Sequence, residues 1–156
     1  MSGKEKIFAV LLAILVIFWT FVIFAQSAKN GQESTDDTES VMKIIEKVVG
    51  FVFPGLTVSS HLIRKLAHFG EYLVLGLLTA GLAARLRGKL LHLAAWGYAV
   101  VVACFDEFLV QRLSEGRSPQ WTDVLIDSAG ALCGCIGIVF VVYLVRRRKE
   151  GKRKSA

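Results

Sequence analysis

Four stretches of this chain are each long and apolar enough to cross a lipid bilayer, and this constrains the fold more than any other feature. Spanning the hydrocarbon core of a bilayer takes about 20 consecutive apolar residues. The runs cover about residues 7–25, 66–84, 90–110 and 124–145, and a basic tail, 146–156, follows the last one. The sequence therefore predicts an all-α membrane protein, a single domain over 1–156 built as a bundle of four transmembrane helices.

The composition favours a membrane protein and argues against a nucleic-acid-binding one. The chain is 54% hydrophobic, with a mean hydropathy of +0.53, which is more apolar than ordinary soluble domains. Its net charge is +6, but the basic residues lie mostly at the ends of apolar runs, which indicates membrane orientation. Cys104, Cys133 and Cys135 lie inside apolar runs, so we expect core residues rather than a disulfide framework or a zinc site.

Two segments ahead of the second span, residues 7–25 and residues 41–53, allow more than one interpretation. Residues 7–25 follow two lysines and precede "AQSA", as in a cleaved signal peptide, but the run is longer than a signal h-region and favours a retained anchor. Residues 26–40 are polar and predict a flexible loop. Residues 41–53 have apolar positions at helical spacing, which predicts a short amphipathic helix. That helix fits the membrane surface and packing on the bundle equally well.

The distribution of basic residues predicts the orientation in the membrane. If the N-terminus is cytoplasmic, 12 of the 19 lysines and arginines lie on the cytoplasmic side. Positively charged residues concentrate on that side in multi-pass proteins. We therefore expect a multi-pass protein of the cell membrane with both termini in the cytoplasm.

Ionisable residues of three predicted spans lie near the outer end of each span. His68, Glu71 and Tyr72 are spaced i, i+3 and i+4 and share one helix face, while Asp106 and Glu107 end the third span. Such residues are costly in lipid, so they normally face the bundle interior and find partners. The sequence predicts an outer pocket formed by Lys65, His68, Glu71, Tyr72, Asp106, Glu107, Gln111, Arg117, Asp123 and Asp127.

A structural role for the same residues stays open at this point. The cluster would also serve as a network that pins helix ends together, and Asp123 alone would suit a helix N-cap. On the fourth span, Gly130 and Gly134 are spaced G-x-x-x-G, with Gly137 following on the same stripe. This spacing lets another helix approach closely and favours tight packing inside the bundle over dimerisation.

The motifs "KLAHFGEYLVLG" and "DEFLVQRLSEGRSPQWTDVLIDSAG" resemble the VanZ-like family of bacterial membrane proteins. The resemblance covers most of the chain, because the spacing of the four spans also fits. The matching positions are Lys65, His68, Tyr72, Asp106, Glu107, Gln111, Gly116, Arg117, Asp123, Asp127 and Gly130. The family's pattern often has Asn where this chain has Asp127. The resemblance implies an association with resistance to the lipid-tailed glycopeptide teicoplanin.

Three functions compete on the sequence alone. The first is a binding protein whose pocket takes the headgroup of a membrane lipid, of a lipid-linked cell-wall precursor or of a glycopeptide antibiotic. Lys65 and Arg117 would meet phosphate or carboxylate, and Asp106 and Glu107 would meet amide or ammonium groups. Nucleic acid is not an expected partner.

The second function is a hydrolase of a lipid-linked substrate. Its acid/base pairs or its ligands for a divalent metal would come from His68, Glu71, Asp106, Glu107, Asp123 and Asp127. No cofactor motif is evident beyond that candidate metal set, and no serine or cysteine nucleophile lies in a recognisable motif. The third function is a proton-coupled carrier. The inner halves of the spans are almost free of polar residues, so no path across the membrane is visible and this function ranks last.

Overall fold

The computed structural model describes residues 2–28, 59–86, 89–113 and 119–154. The amphipathic helix predicted over 41–53 lies outside the described residues.

The described chain is helical, which confirms the predicted all-α fold. The elements in chain order are α1 (Gly3–Ser27), α2 (Ser60–Leu86), α3 (Lys89–Phe105), a π-helical turn (Asp106–Val110), α4 (Gln111–Leu113) and α5 (Trp121–Lys154). The start of α1 is fixed by a capping box, in which the Ser2 hydroxyl accepts from the Glu5 N–H and the Glu5 carboxylate accepts from the Ser2 N–H.

Four helical segments are long and apolar enough to cross a membrane: Gly3–Ser27, His61–Leu86, Leu90–Leu113 and Trp121–Gly151. The third combines α3, the π-helical turn and α4. Each segment extends beyond the predicted apolar run at one or both ends, because helical hydrogen bonding continues into the polar residues that flank the run. The basic tail is likewise helical as far as Lys154.

Large apolar side chains cover the outside of the bundle. Ile17, Phe21 and Leu125 are each 69% exposed. A continuous apolar surface of this kind promotes association in water, whereas in a bilayer it contacts acyl chains. Only 17% of the most apolar window of α1 is buried, so this helix has the largest lipid-facing share of the four.

Helices α2 and α5 pack backbone against backbone along a stripe of glycines. A Cβ atom at Gly76 would overlap the carbonyl group of Ala131, and one at Gly130 would overlap the carbonyl group of Phe69. At Gly134 a Cβ atom would overlap the backbone of α2 as well. The close approach predicted from the G-x-x-x-G spacing is therefore found inside the bundle, between α2 and α5. We call this contact the glycine seam.

The other two helices are fixed to the seam by indole hydrogen bonds. Trp19 of α1 donates from Nε1 to the Glu71 carbonyl oxygen of α2 at 2.9 Å. Trp96 of α3 donates to the Ser128 carbonyl oxygen of α5 at 3.1 Å. Each bond satisfies the one polar atom of a largely apolar side chain, so the tryptophans fill the bundle without an unpaired donor. The four helices thereby share one core.

Candidate binding site at the polar end of the bundle

Polar side chains concentrate at the end of the bundle where α1 ends, α2 and α5 begin, and the π-helical turn lies. We call this region the polar end. It holds the fully buried carboxyl groups of Asp106, Glu107 and Asp127, each with 0% relative exposure. Charged groups are rarely buried without partners. The contacts of each carboxyl group therefore distinguish structural carboxyl groups from those available to bind a ligand.

Residues from three helical segments meet in one cluster. One ligand atom from each of His68, Asp106 and Asp127 lies within 4.8 Å of the other two. His68 comes from the first turns of α2, Asp106 from the π-helical turn and Asp127 from the first turns of α5. We call this group the His–Asp–Asp trio. The depth argument from sequence led us to expect these three residues near one another, and the structure brings them together.

The π-helical turn aims two consecutive carboxyl groups into the bundle. It spans Asp106–Val110, and its closing hydrogen bond runs from the N–H of Gln111 to the Asp106 carbonyl oxygen. The extra residue in a π turn widens the helix locally, and such turns occur often at functional sites. Both Asp106 and Glu107 are thus buried although they are neighbours in sequence, and each has its own set of partners.

Asp106 is held from the end of α1. The Ser27 hydroxyl donates to Asp106 Oδ2 at 2.7 Å, and Ser27 is itself 1% exposed. A short hydrogen bond from a hydroxyl to a carboxylate fixes the plane of the carboxylate. This bond ties the last turn of α1 to the π-helical turn.

Glu107 serves the connection into α5 rather than the trio. Its Oε2 accepts from Gln111 Nε2 at 2.5 Å, and its Oε1 accepts from the Gln120 backbone N–H at 2.6 Å. The contact with Gln111 follows from their spacing of one helical turn. The bond to Gln120 anchors the residue that directly precedes α5. Glu107 therefore positions the start of that helix.

Asp127 is the least satisfied polar side chain of the polar end. Neither of its carboxylate oxygens has a hydrogen-bond partner among the described residues. His68 Nδ1 lies 3.8 Å from Asp127 Oδ1, which is an ion-pair distance if the imidazole is protonated but too long for a hydrogen bond. The Tyr72 hydroxyl is also buried without a hydrogen-bond partner among the described residues. Two polar side chains of the region are thus left for a further contact.

Lys65 and Asp123 form the rim of the polar end. Lys65 Nζ lies 3.6 Å from Asp123 Oδ1, and the two side chains are 26% and 21% exposed. This pair joins the first turns of α2 and α5 above the trio. A partly exposed pair of this kind adds little stability. Its two charges remain close to any headgroup that reaches the rim.

Seven of the ten predicted pocket residues fall into three groups. His68, Asp106 and Asp127 meet in the trio, whereas Glu107 with Gln111 supports the connection into α5 and Lys65 with Asp123 forms the rim. Glu71 is only partly buried and, although described, is not part of the trio. Arg117 lies outside the described residues.

Sequence reasoning missed two contributors. Ser27 was treated as part of the segment after the first span, yet it is a polar residue at the same depth as the other groups, which is the signal that would have found it. The Gln120 backbone N–H carries no residue-type signal at all, since every residue except proline has one.

One cavity among the described residues is apolar and lies in the other half of the bundle. It has a volume of about 330 Å³ between α1, α2 and α3, and its polar lining residues are Thr79 and Tyr98. Thr79 donates to carbonyl oxygens of its own helix, and the Tyr98 hydroxyl contacts Thr20 at 3.0 Å. With both hydroxyls already bonded, this cavity offers no polar chemistry, so the polar end is the candidate site.

Comparison with known proteins agrees with the resemblance found in the motifs. The profile of the VanZ/LLP1 family matches residues 11–144, from α1 into α5. No curated protein and no solved structure matches the chain at a significant level. Since the family match covers most of the chain and the four helices suit a membrane, the protein belongs to the VanZ/LLP1 family of membrane proteins.

Proposed function

We propose that the polar end binds the polar headgroup of an amphiphile in the outer leaflet of the cell membrane. The observation that carries the proposal is the convergence of His68, Asp106 and Asp127 at one end of a bundle of membrane-spanning helices. Ionisable groups within spans are costly and mark ligand sites more often than structural ones. The end of a span is also the depth at which a lipid headgroup lies.

The charges at the polar end suit a headgroup with both anionic and donor groups. Lys65 at the rim offers a cation to phosphate, and the carboxyl groups below it accept from amide or ammonium groups. A lipid-linked cell-wall precursor carries both kinds of group, and so does a lipid-tailed glycopeptide such as teicoplanin. We therefore propose these two amphiphiles as ligands, and the second follows only from the family resemblance.

The proposal requires that the polar end faces outward and that both chain termini lie in the cytoplasm. The distribution of 12 of 19 basic residues supports this orientation. Reporter fusions at Gly88 and Ala156 should report a cytoplasmic position, and a fusion at Gly31 an external one. A cytoplasmic Gly31 would place the site on the wrong leaflet and end the proposal.

Drug susceptibility tests the proposal in cells. Expression in a sensitive host should lower susceptibility to teicoplanin more than susceptibility to vancomycin, which has no lipid tail. Asp106→Asn should abolish the effect while the protein still accumulates in the membrane. Glu150→Gln is the matched control, because Glu150 is an exposed acid on the tail of α5 at the opposite end of the bundle. Full protection by Asp106→Asn would mean that the site does not act on the antibiotic.

Ligand binding tests the proposal in purified protein. Delipidated protein is mixed with a lipid-linked cell-wall precursor and with phosphatidylglycerol, and native mass spectrometry measures which lipid binds. We expect the precursor to bind in preference to phosphatidylglycerol. Asp106→Asn should weaken that binding at least tenfold, and Glu150→Gln should not change it. Equal binding of both lipids, or equal binding by both variants, would contradict a headgroup site.

A second candidate function is hydrolysis of a lipid-linked substrate. One observation favours it: an imidazole and a buried carboxyl group, both able to transfer protons, are neighbours, with His68 Nδ1 3.8 Å from Asp127 Oδ1. Incubation of the reconstituted protein with the precursor, followed by mass spectrometry of the lipid, separates the two functions. A shortened product that Asp127→Asn fails to form would favour the hydrolase.

A further inference from the structure

The carboxyl group of Asp127 is buried in a way that the protein alone does not compensate. The side chain has 0% relative exposure, and neither oxygen has a hydrogen-bond partner among the described residues. Burying an ionised carboxylate without partners carries one of the largest desolvation free-energy costs in a folded protein. A buried polar group in this state calls for a further partner such as an ion.

A second carboxyl group makes the local charge problem worse. Asp106 and Asp127 offer ligand atoms within 4.8 Å of each other, in a region of low dielectric where like charges repel strongly. Lys65 pairs with Asp123 at the rim, and among the described residues it forms no ion pair with Asp127. When both carboxyl groups are deprotonated, they carry two negative charges, which one divalent cation neutralises.

We infer that His68, Asp106 and Asp127 form a binding site for a divalent transition-metal cation, Zn²⁺ or Mn²⁺. One imidazole nitrogen and two carboxylate oxygens match the ligand preferences of these ions, whereas Mg²⁺ and Ca²⁺ favour oxygen ligands alone. Ligand atoms lie about 2.0–2.2 Å from zinc, so two ligands of one tetrahedral ion are roughly 3.4 Å apart. The 3.8 Å between His68 Nδ1 and Asp127 Oδ1 is close to that value.

Ser27 prepares Asp106 for this role. Its hydroxyl donates to Oδ2 of Asp106 at 2.7 Å and so sets the orientation of the other carboxylate oxygen. Hydrogen bonds to metal-ligating carboxylates orient them and typically change metal affinity by about 10–100-fold when removed. Ser27 is therefore a positioning residue for the cation site.

Three protein ligands leave at least one coordination position of the cation open. This deepens the proposed function and, in this respect, rests on it. A phosphate group brought next to Asp106 and Asp127 would be repelled by two carboxylates, and a cation between them turns that repulsion into attraction. Of the two proposed ligands, the cation site therefore favours the lipid-linked cell-wall precursor, whose headgroup carries phosphate.

Metal content of the purified full-length chain tests the inference without any lipid ligand. Protein stripped with a chelator in detergent should take up one equivalent of Zn²⁺ per chain, measured by elemental analysis. Asp127→Asn and His68→Gln should weaken binding at least tenfold, and Ser27→Ala about tenfold with unchanged stoichiometry. Asp127→Asn keeps nearly the same side-chain shape and should fold, and a cooperative thermal transition checks that it does.

Two control variants separate the trio from adventitious sites. Asp123→Asn removes a rim carboxylate, and His92→Gln removes an imidazole on α3 remote from the polar end, and neither should change the stoichiometry. Substitution with Co²⁺ adds a spectroscopic readout. We expect visible bands of nitrogen and oxygen ligation without the thiolate charge-transfer band that binding by Cys133 or Cys104 would give.

Binding by Asp127→Asn as strong as that of the natural chain would overturn the inference, as would the absence of stoichiometric metal. In either case the trio would be a proton-sharing structural group. A chain that binds Zn²⁺ through the trio but no phosphate-bearing amphiphile would leave the cation site standing and refute the lipid-linked precursor as its ligand.

Discussion

The glycine seam and the polar end lie on the same two helices, yet they are built on opposite rules. At the seam, Gly76, Gly130 and Gly134 remove side chains altogether so that two backbones touch. At the polar end, the next turns of α2 and α5 carry large ionisable side chains inward, and Asp127 finds no hydrogen bond. The seam has close backbone packing, whereas the polar end has buried polar atoms without hydrogen-bond partners among the described residues. The close packing of α2 and α5 at the glycine seam therefore fixes the helix ends that carry the unsatisfied groups of the polar end.

The largest expected effect comes from breaking the seam with Gly134→Ala. The added Cβ atom would overlap the backbone at Leu73 and Leu77, which cannot move aside as a flexible side chain would. Overpacking a well-packed core costs about 1–3 kcal/mol, and backbone overlap lies at or above the upper end of that range. Thermal unfolding in detergent should show the loss, together with reduced accumulation in the membrane.

Gly97→Ala is the matched control for the seam. No atom lies within 4 Å of a Cβ atom built at Gly97, so the change adds only helix propensity and should be neutral or stabilise by up to about 1 kcal/mol. Equal destabilisation by the two variants would mean that the seam is not the tight region that the geometry indicates.

A smaller loss is expected from Glu107→Ala, in the satisfied part of the polar end. The change leaves the Gln111 side-chain amide and the Gln120 backbone N–H without their acceptor. Hydrogen bonds to charged groups contribute about 1.5–3 kcal/mol, so unfolding free energy should fall by about 2 kcal/mol. Proteolysis of the connection before α5 should become faster, and a variant that unfolds and is cleaved like the natural chain would contradict the anchoring role.

The smallest effect on stability, with the opposite sign, is expected from Asp127→Asn in metal-free protein. Neutralising a buried carboxylate that has no hydrogen bond removes a desolvation cost, and the charge contact that it gives up is the 3.8 Å approach of His68 Nδ1. Replacing buried charges is often neutral or stabilising by about 1–4 kcal/mol, and here we expect the lower end of that range. A loss of stability as large as that of Glu107→Ala would show that Asp127 is satisfied after all and would remove the contrast between the two regions.

Sequence reasoning succeeded where the signal is local and failed where it depends on how helices meet. The four spans follow from apolar length, and the seam follows from the G-x-x-x-G spacing of Gly130 and Gly134. The meeting of His68 with Asp106 follows from their common depth. Depth alone could not show that Asp106 faces the trio while Glu107 faces the connection into α5.

The π-helical turn directs Asp106 toward the trio and Glu107 toward the connection into α5. No residue type in "DEFLV" predicts this turn. A π turn forms where tertiary contacts outweigh the regular hydrogen-bond pattern, and here those contacts come from α1 and from the start of α5. The same reason explains why Ser27 was missed. Its role depends on a partner in another helix, and nothing in the sequence near Ser27 reports that partner.

The hydrogen bond between Ser27 and Asp106 also sets an order of events during biosynthesis. Its two residues are 79 positions apart in the chain. At a synthesis rate of about 5–20 residues per second, the first helix waits roughly 4–16 s before the ribosome produces its partner. During that interval Ser27 must rely on headgroups, water or the insertion machinery for hydrogen bonds. The arrival of Asp106 then joins α1 to the third span by this hydrogen bond.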